Sequence, residues 1–137
     1  MKITWLGQAG LMMETNGKTI IIDPYLSNSV EKIEPQNYRR VPVDESFLKV
    51  KPDFIVLTHD HMDHTDPETL VHYLPNGENI TVLAPYNAWQ KARKLGGANN
   101  YVMFNRKTTW SQDGIEFYAV KAEHSDLLGV GVIIKAE

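Results

Sequence analysis

Four consecutive apolar residues, Phe54-Ile55-Val56-Leu57, constrain the fold more than any other feature of this chain. A strand with one wet face alternates apolar and polar residues, whereas an unbroken short run suits a strand buried on both faces, as in a layered α/β sheet. The segments around it carry frequent turn signals and no internal repeat, which fits alternating short elements. Upstream, Lys2 to Leu6, Leu11 to Glu14 and Lys18 to Ile22 read as strands joined through Gly7-Gln8-Ala9-Gly10 and Asn16-Gly17. Asn-Gly is the strongest two-residue hairpin signal, so these form an antiparallel meander.

Asp23-Pro24 opens a stretch to about Pro42 with little periodicity, a length of loop that is usually functional or disordered and is read here as functional. Asp44 caps a short helix through Lys49. A second helix starts at Thr65-Asp66-Pro67-Glu68, either as a capping box from Thr65 to Glu68 or with Asp66 as cap and Pro67 in the first turn, and runs to about Tyr73. Thr81 to Ala84 is a strand, Asn87 caps a helix ending near Leu95 at Gly96-Gly97, and Tyr101 to Phe104 is another strand. The remainder reads as Thr108 to Ser111, an Asp113-Gly114 turn, Ile115 to Ala122 and a last strand Val130 to Lys135. The fold class expected is therefore α/β, in a single domain covering 1–137, a length that can bury about two-thirds of the unfolded surface.

Composition narrows the chemistry. With no cysteine, disulfides, a thiolate nucleophile and sulfur-ligated zinc are excluded, so a metal must be held by imidazole and carboxylate. The balance of 14 basic against 17 acidic residues supplies no field for nonspecific binding of nucleic acid or anionic lipid. No apolar run is long enough for a membrane span, and Met1 to Leu6 enters a strand pattern without a leader core, so a cytoplasmic protein is expected.

Directly after the buried strand comes Thr58-His59-Asp60-His61-Met62-Asp63-His64, three imidazoles and two carboxylates within six positions. In a nearly extended chain, His59 and His61 project to one side and can chelate one ion, while Asp63 and His64 can face a second as the chain turns into its helix. Two divalent ions roughly 3.5 to 4 Å apart can activate a shared water and clamp the oxygens of a carbonyl or phosphoryl group. Asp60 is expected to point away from the ions, with a supporting hydrogen bond as its best role. His72, placed mid-helix without a partner motif, is expected to be structural or exposed.

This His-x-His-x-Asp-His run after a hydrophobic strand resembles the signature of the metallo-β-lactamase superfamily. The glycine-punctuated meander, Asp23-Pro24 and the lone His124 stand in the matching chain order. The resemblance implies a metallo-β-lactamase-like αββα sandwich, of which this chain supplies roughly the N-terminal half. It further implies that His59, His61 and His124 hold one metal, that Asp63 and His64 contribute to the second, and that Asp23 orders the metal loop. His61 and Asp63 would then be essential for catalysis. Within the superfamily, Thr4-Trp5-Leu6-Gly7-Gln8-Ala9-Gly10 and the metal motif look most similar to the branch of the ascorbate-6-phosphate lactonase and related uncharacterised metal-dependent hydrolases. That branch implies a metal-dependent hydrolase acting on a small ester, lactone or phosphorylated substrate, with zinc first and manganese second as the two divalent ions. Tyr38, Arg39 and Arg40 in the long loop are candidate substrate contacts. The alternatives are a phosphodiesterase or nuclease of the same fold, and a non-catalytic metal-binding module.

The family's second half normally supplies a bridging aspartate and a last histidine, and nothing after Ile133-Ile134-Lys135-Ala136-Glu137 does so here. The only downstream candidate is Asp126, whose spacing does not match the family's aspartate. A chain cut short at its C-terminus, or a homo-oligomer whose copies complete each other, is therefore expected. Apolar residues from Ile20 to Ile22 and from Val130 to Ile134 should then lie exposed for want of a covering layer.

Overall fold

A computed structural model describes residues 1–136. The meander forms as read: β1 (Lys2–Gly7), β2 (Gly10–Thr15) and β3 (Lys18–Ile22) pair antiparallel. Then β4 (Phe54–Val56), β5 (Glu78–Ala84) and β6 (Ala98–Met103) add in parallel, giving a six-stranded sheet in chain order. Parallel neighbours need crossovers, and the connections carry a 3₁₀ turn (Glu45–Lys49), α2 (Pro67–Leu70) and α3 (Tyr86–Arg93). A short α1 (Ser29–Ile33) lies inside the stretch that sequence periodicity leaves featureless; five residues make too little pattern to see.

Alternation along the central strands divides the core in two. Ile21, Ile55, Leu57, Val82 and Ala84 face the helices and meet Leu70, Leu74, Ala88 and Ala92. Ile20, Ile22, Phe54, Val56 and Leu83 face a second, three-stranded antiparallel sheet of β7 (Thr109–Gln112), β8 (Ile115–Lys121) and β9 (Val130–Ala136). Phe54 and Phe117 pack across the two sheets with ring centroids 5.0 Å apart.

This second sheet corrects the expectation of an uncovered inner face. Ile20 is fully buried and Ile22 9% exposed because β8 brings Ile115, Phe117 and Ala119 over them, Ile21 is fully buried on the other side against the helices, and Val130 (3%) packs in the same inter-sheet core. The apolar residues left open include Ile3 and Trp5 on the edge strand β1 and, within the stretch expected to be bare, Ile133 on β9. One cap differs from expectation, and another takes one of the two expected forms. Of the two readings at the second helix, the structure takes Asp66, whose carboxylate accepts from Glu68 N at 3.2 Å, with Pro67 in the first turn. The third helix starts at Tyr86 after Pro85, leaving the Asn87 side chain free to reach Asp126. Among the described residues, no helix is long and apolar enough to cross a membrane.

Candidate metal centre

The centre lies at the carboxyl ends of the parallel strands, where β4 releases the chain into its histidine loop. Two backbone bonds from the loop's end, His64 N and Thr65 N to the His61 carbonyl (2.9 and 2.7 Å), fold it into a turn, and Thr65 Oγ1 donates to the His59 carbonyl at 2.6 Å. The turn is anchored below by Asp66, fully buried, which accepts from the hydroxyls of Ser27, Ser29 and Thr69 and thereby ties in α1 and the preceding loop.

His59, His61 and His124 converge although 65 residues separate the first from the last in the chain. Each offers one ring nitrogen such that the three lie within 4.8 Å of one another, and the ring centroids are 4.1 to 4.9 Å apart. His59 is decisive for whether a metal fits. Its Nδ1 contacts Thr58 Oγ1 at 2.8 Å, while its Nε2 is buried without any hydrogen-bond partner. An orphaned buried ring nitrogen costs about 1 to 3 kcal/mol unless something coordinates it. Burial, reinforced by the neighbouring His64, pushes the His59 pKa down to about 4, so the ring is neutral near pH 7 and its lone pair is available.

Asp23 sits at the end of β3 in a left-handed conformation (φ 44°), buried, with both oxygens engaged. Oδ1 accepts from Thr58 N at 2.8 Å; Oδ2 accepts from Thr58 Oγ1 at 2.5 Å and lies 2.7 Å from His64 Nδ1. Asp23 and His64 can also be grouped with His59 as a ligand triad. We read Asp23 instead as the residue that orients the loop, because its lone pairs are already spent on Thr58 and His64. Burial opposes a charge on His64, but the Asp23 hydrogen bond and the charges of Asp23 and Asp63 outweigh it and raise its pKa. With Nδ1 held, Nε2 of His64 lies 3.8 Å from an Asp63 carboxylate oxygen. Gln8, in the β1–β2 turn, reaches Asp63 Oδ2 at 3.5 Å.

A cleft of about 850 Å³ opens beside His61 and Asp63, and Tyr38 and Arg40 line it together with Val30, Ile33, Met62 and Lys91. Arg40 stacks on Tyr38, its guanidinium carbon 3.7 Å from the ring centroid. Arg39 is corrected as a substrate contact. Its guanidinium turns inward, donating to the carbonyls of Tyr25 and of Val41 (3.0 Å), and packs so closely on Gly7 that a Cβ there would lie 2.4 Å from Nη2. It staples the long loop to the meander, and burial lowers its pKa. Asp126, the downstream candidate, does not join the histidine groups: it is buried and committed to Asp60 N, Asn87 and Leu128 N. Burial disfavours its charge, yet these donors outweigh that and lower its pKa. Asp60 belongs to neither histidine group; its carboxylate lies 3.6 Å from Lys91 Nζ, which also donates to its backbone carbonyl at 2.8 Å, and His72 is exposed.

Sequence reasoning missed Thr58, Ser125, Asn87 and Lys91 around the site. Thr58 and Ser125 directly adjoin His59 and His124, so adjacency was the available signal; nothing local marks Asn87 or Lys91, which arrive from α3.

Residues 2–131 match the family described as the beta-lactamase superfamily domain. A UPF0173 metal-dependent hydrolase of Caldivirga maquilingensis is 35% identical over 137 residues, covering 98% of this chain and 54% of its own length. Another, from a Geobacillus species, is 30% identical over 148 residues, covering 100% and 59%. Among solved structures, the isothiocyanate hydrolase from Delia radicum gut bacteria superposes with a TM-score of 0.69 at 23% identity, over 99% of this chain and 58% of its own. A metallo hydrolase from Ignicoccus hospitalis gives 0.68 at 19% identity, over 98% and 55%. At such identities the likeness is one of fold. The chain spans 54% and 59% of the length of the two relatives.

Proposed function

Since this chain belongs to the beta-lactamase superfamily domain family and has the metallo-β-lactamase type of fold, we propose that it forms the metal-holding part of a metal-dependent hydrolase. The substrate proposed is a small ester, lactone or phosphorylated molecule. The observation that carries this reading is the convergence of His59, His61 and His124 around the unpartnered, buried Nε2 of His59. These three rings would hold one divalent ion, and Asp63 with His64 would contribute to a second, zinc being the first candidate and manganese the next. Divalent ions bound there supply an acidified water and polarisation of a carbonyl or phosphoryl oxygen.

The protein's own contribution is orientation. Thr58 holds His59 by Nδ1 and Asp23 holds His64 by Nδ1, leaving Nε2 of each as the donor nitrogen. Asp63 stands between the ligand cluster and the cleft, where its carboxylate can bind an ion or accept a proton from an attacking water. Tyr38 and Arg40 present an aromatic face and a cation to the part of the substrate that lies in the cleft.

The test is a panel of lactones, carboxylic esters and phosphate esters offered to the full-length protein. Activity should vanish on chelation and return with zinc or manganese. Alanine at His61 or Asp63 should abolish turnover while the circular dichroism spectrum and melting transition persist. Undiminished hydrolysis in either variant would remove that residue from the mechanism.

A further inference from the structure

His124 reaches the cluster from a loop between β8 and β9 that has few regular backbone bonds of its own. Its position must come from elsewhere, and the loop is fastened to the histidine loop at three successive points. At its exit, Val130 N donates to the Thr58 carbonyl at 2.8 Å. Gly129 allows this approach, since a Cβ there would stand 3.2 Å from His59 Cβ and 3.1 Å from the Asp126 carbonyl oxygen. In its middle, the buried Asp126 carboxylate accepts from Asp60 N at 3.1 Å through Oδ2, and from Asn87 Nδ2 and Leu128 N, both at 3.0 Å, through Oδ1. At its entry, Ser125 Oγ lies 3.0 Å from His61 Nε2.

We propose that Ser125 and Asp126 form a positioning latch that sets His124 in register with His59 and His61, and that Ser125 also selects which His61 nitrogen faces the metal. The proposal rests on the metal-centre reading above. Asp126 fixes the backbone between the two loop histidines, because Asp60 is the residue that separates His59 from His61. Ser125 accepts the Nε2 proton of His61, which leaves Nδ1 unprotonated as the donor nitrogen. His59 is held the opposite way, by Nδ1. Neighbours two apart in a nearly extended chain then present different nitrogens to one point. A ring's second nitrogen, fixed by an outer hydrogen bond, is known to govern metal affinity by about 10- to 100-fold.

The experiment measures zinc affinity of the intact chain by competition with a chromophoric chelator, alongside histidine tautomers by ¹⁵N NMR on the metal-free protein. Ser125→Ala should weaken the tighter zinc by about tenfold, and Ser125→Thr, which keeps the hydroxyl, should restore it. In the same samples His61 should be an Nε2–H tautomer in the wild type and a mixture in Ser125→Ala. Asp126→Asn keeps an oxygen for Asn87 and Leu128 but turns a donor on Asp60 N, so it should weaken zinc comparably without unfolding. Should that variant unfold, the two substitutions at the exposed Ser125 alone decide. Wild-type affinity in Ser125→Ala, or a Thr variant as weak as the Ala variant, would overturn the latch while leaving the metal centre standing. A wild-type chain that takes up no zinc overturns the metal reading and the latch with it.

Discussion

Replacing Asp23 with asparagine isolates one hydrogen-bond hub without disturbing its backbone, because asparagine tolerates the left-handed conformation that residue 23 adopts. The amide can keep its oxygen on Thr58 N. It must then place an NH₂ where Oδ2 now lies between Thr58 Oγ1 and His64 Nδ1. Two donors cannot share that contact, so His64 must switch to the tautomer that accepts at Nδ1 and carries its proton on Nε2. The loss is one charge-assisted hydrogen bond, about 1.5 to 3 kcal/mol, plus rearrangement at Thr58 of up to about 1 kcal/mol. In urea, with a slope near 1.5 kcal/mol/M, a total of about 1.5 to 4 kcal/mol lowers the midpoint by about 1 to 2.7 M. The sign with pH follows from the raised folded-state pKa of His64. The ionic part of the pair's stabilisation is fully present below the unfolded histidine pKa, about 6.5, and is lost as pH rises through the folded value. The gap between wild type and Asp23→Asn should therefore be widest at pH 5.5 and narrow by pH 9 in metal-free protein. In the same variant His64 should titrate lower by NMR, and zinc at the Asp63–His64 half-site should weaken, since Nε2 now carries the proton. Equal urea midpoints at pH 5.5, or a gap that grows with pH, would refute the assignment of Asp23.

Other consequences are open to simpler measurements. His59 is held neutral with a pKa of about 4, so metal-free protein should lose stability as pH falls from about 6.5 toward 4, and His59→Asn should flatten that slope; an unchanged slope counts against the buried neutral ring. Alanine at His59, His61 or His124 should each remove the tighter zinc in equilibrium dialysis, whereas His72→Ala should bind as wild type. Phe117→Ala empties the inter-sheet contact with Phe54 and should cost about 3 to 5 kcal/mol in urea unfolding, without changing zinc stoichiometry. A cost under 1 kcal/mol would mean that the second sheet contributes little to covering the first.

What could be read from the chain alone was what neighbours in sequence decide. Turn chemistry at Asn16-Gly17 and Asp113-Gly114 marked both hairpins, the run Phe54 to Leu57 marked the doubly buried strand, and the spacing of His59, His61, Asp63 and His64 marked a ligand cluster. Each of these rests on interactions within a few residues, where residue type and spacing fix geometry. Tertiary structure decided the rest. Arg39 and Arg40 are adjacent and chemically alike, yet one braces Gly7 and the carbonyls of Tyr25 and Val41 while the other lines the cleft. Asp126 stood at the wrong spacing for a metal ligand and is a buried brace, and Asn87 looked like a helix cap and serves that brace. Ile20 to Ile22 looked bare until β8 folded back over Ile20 and Ile22 and the helices covered Ile21. In each case at least one deciding partner lies tens of residues away, and only chain closure determines which of several satisfiable contacts a side chain makes.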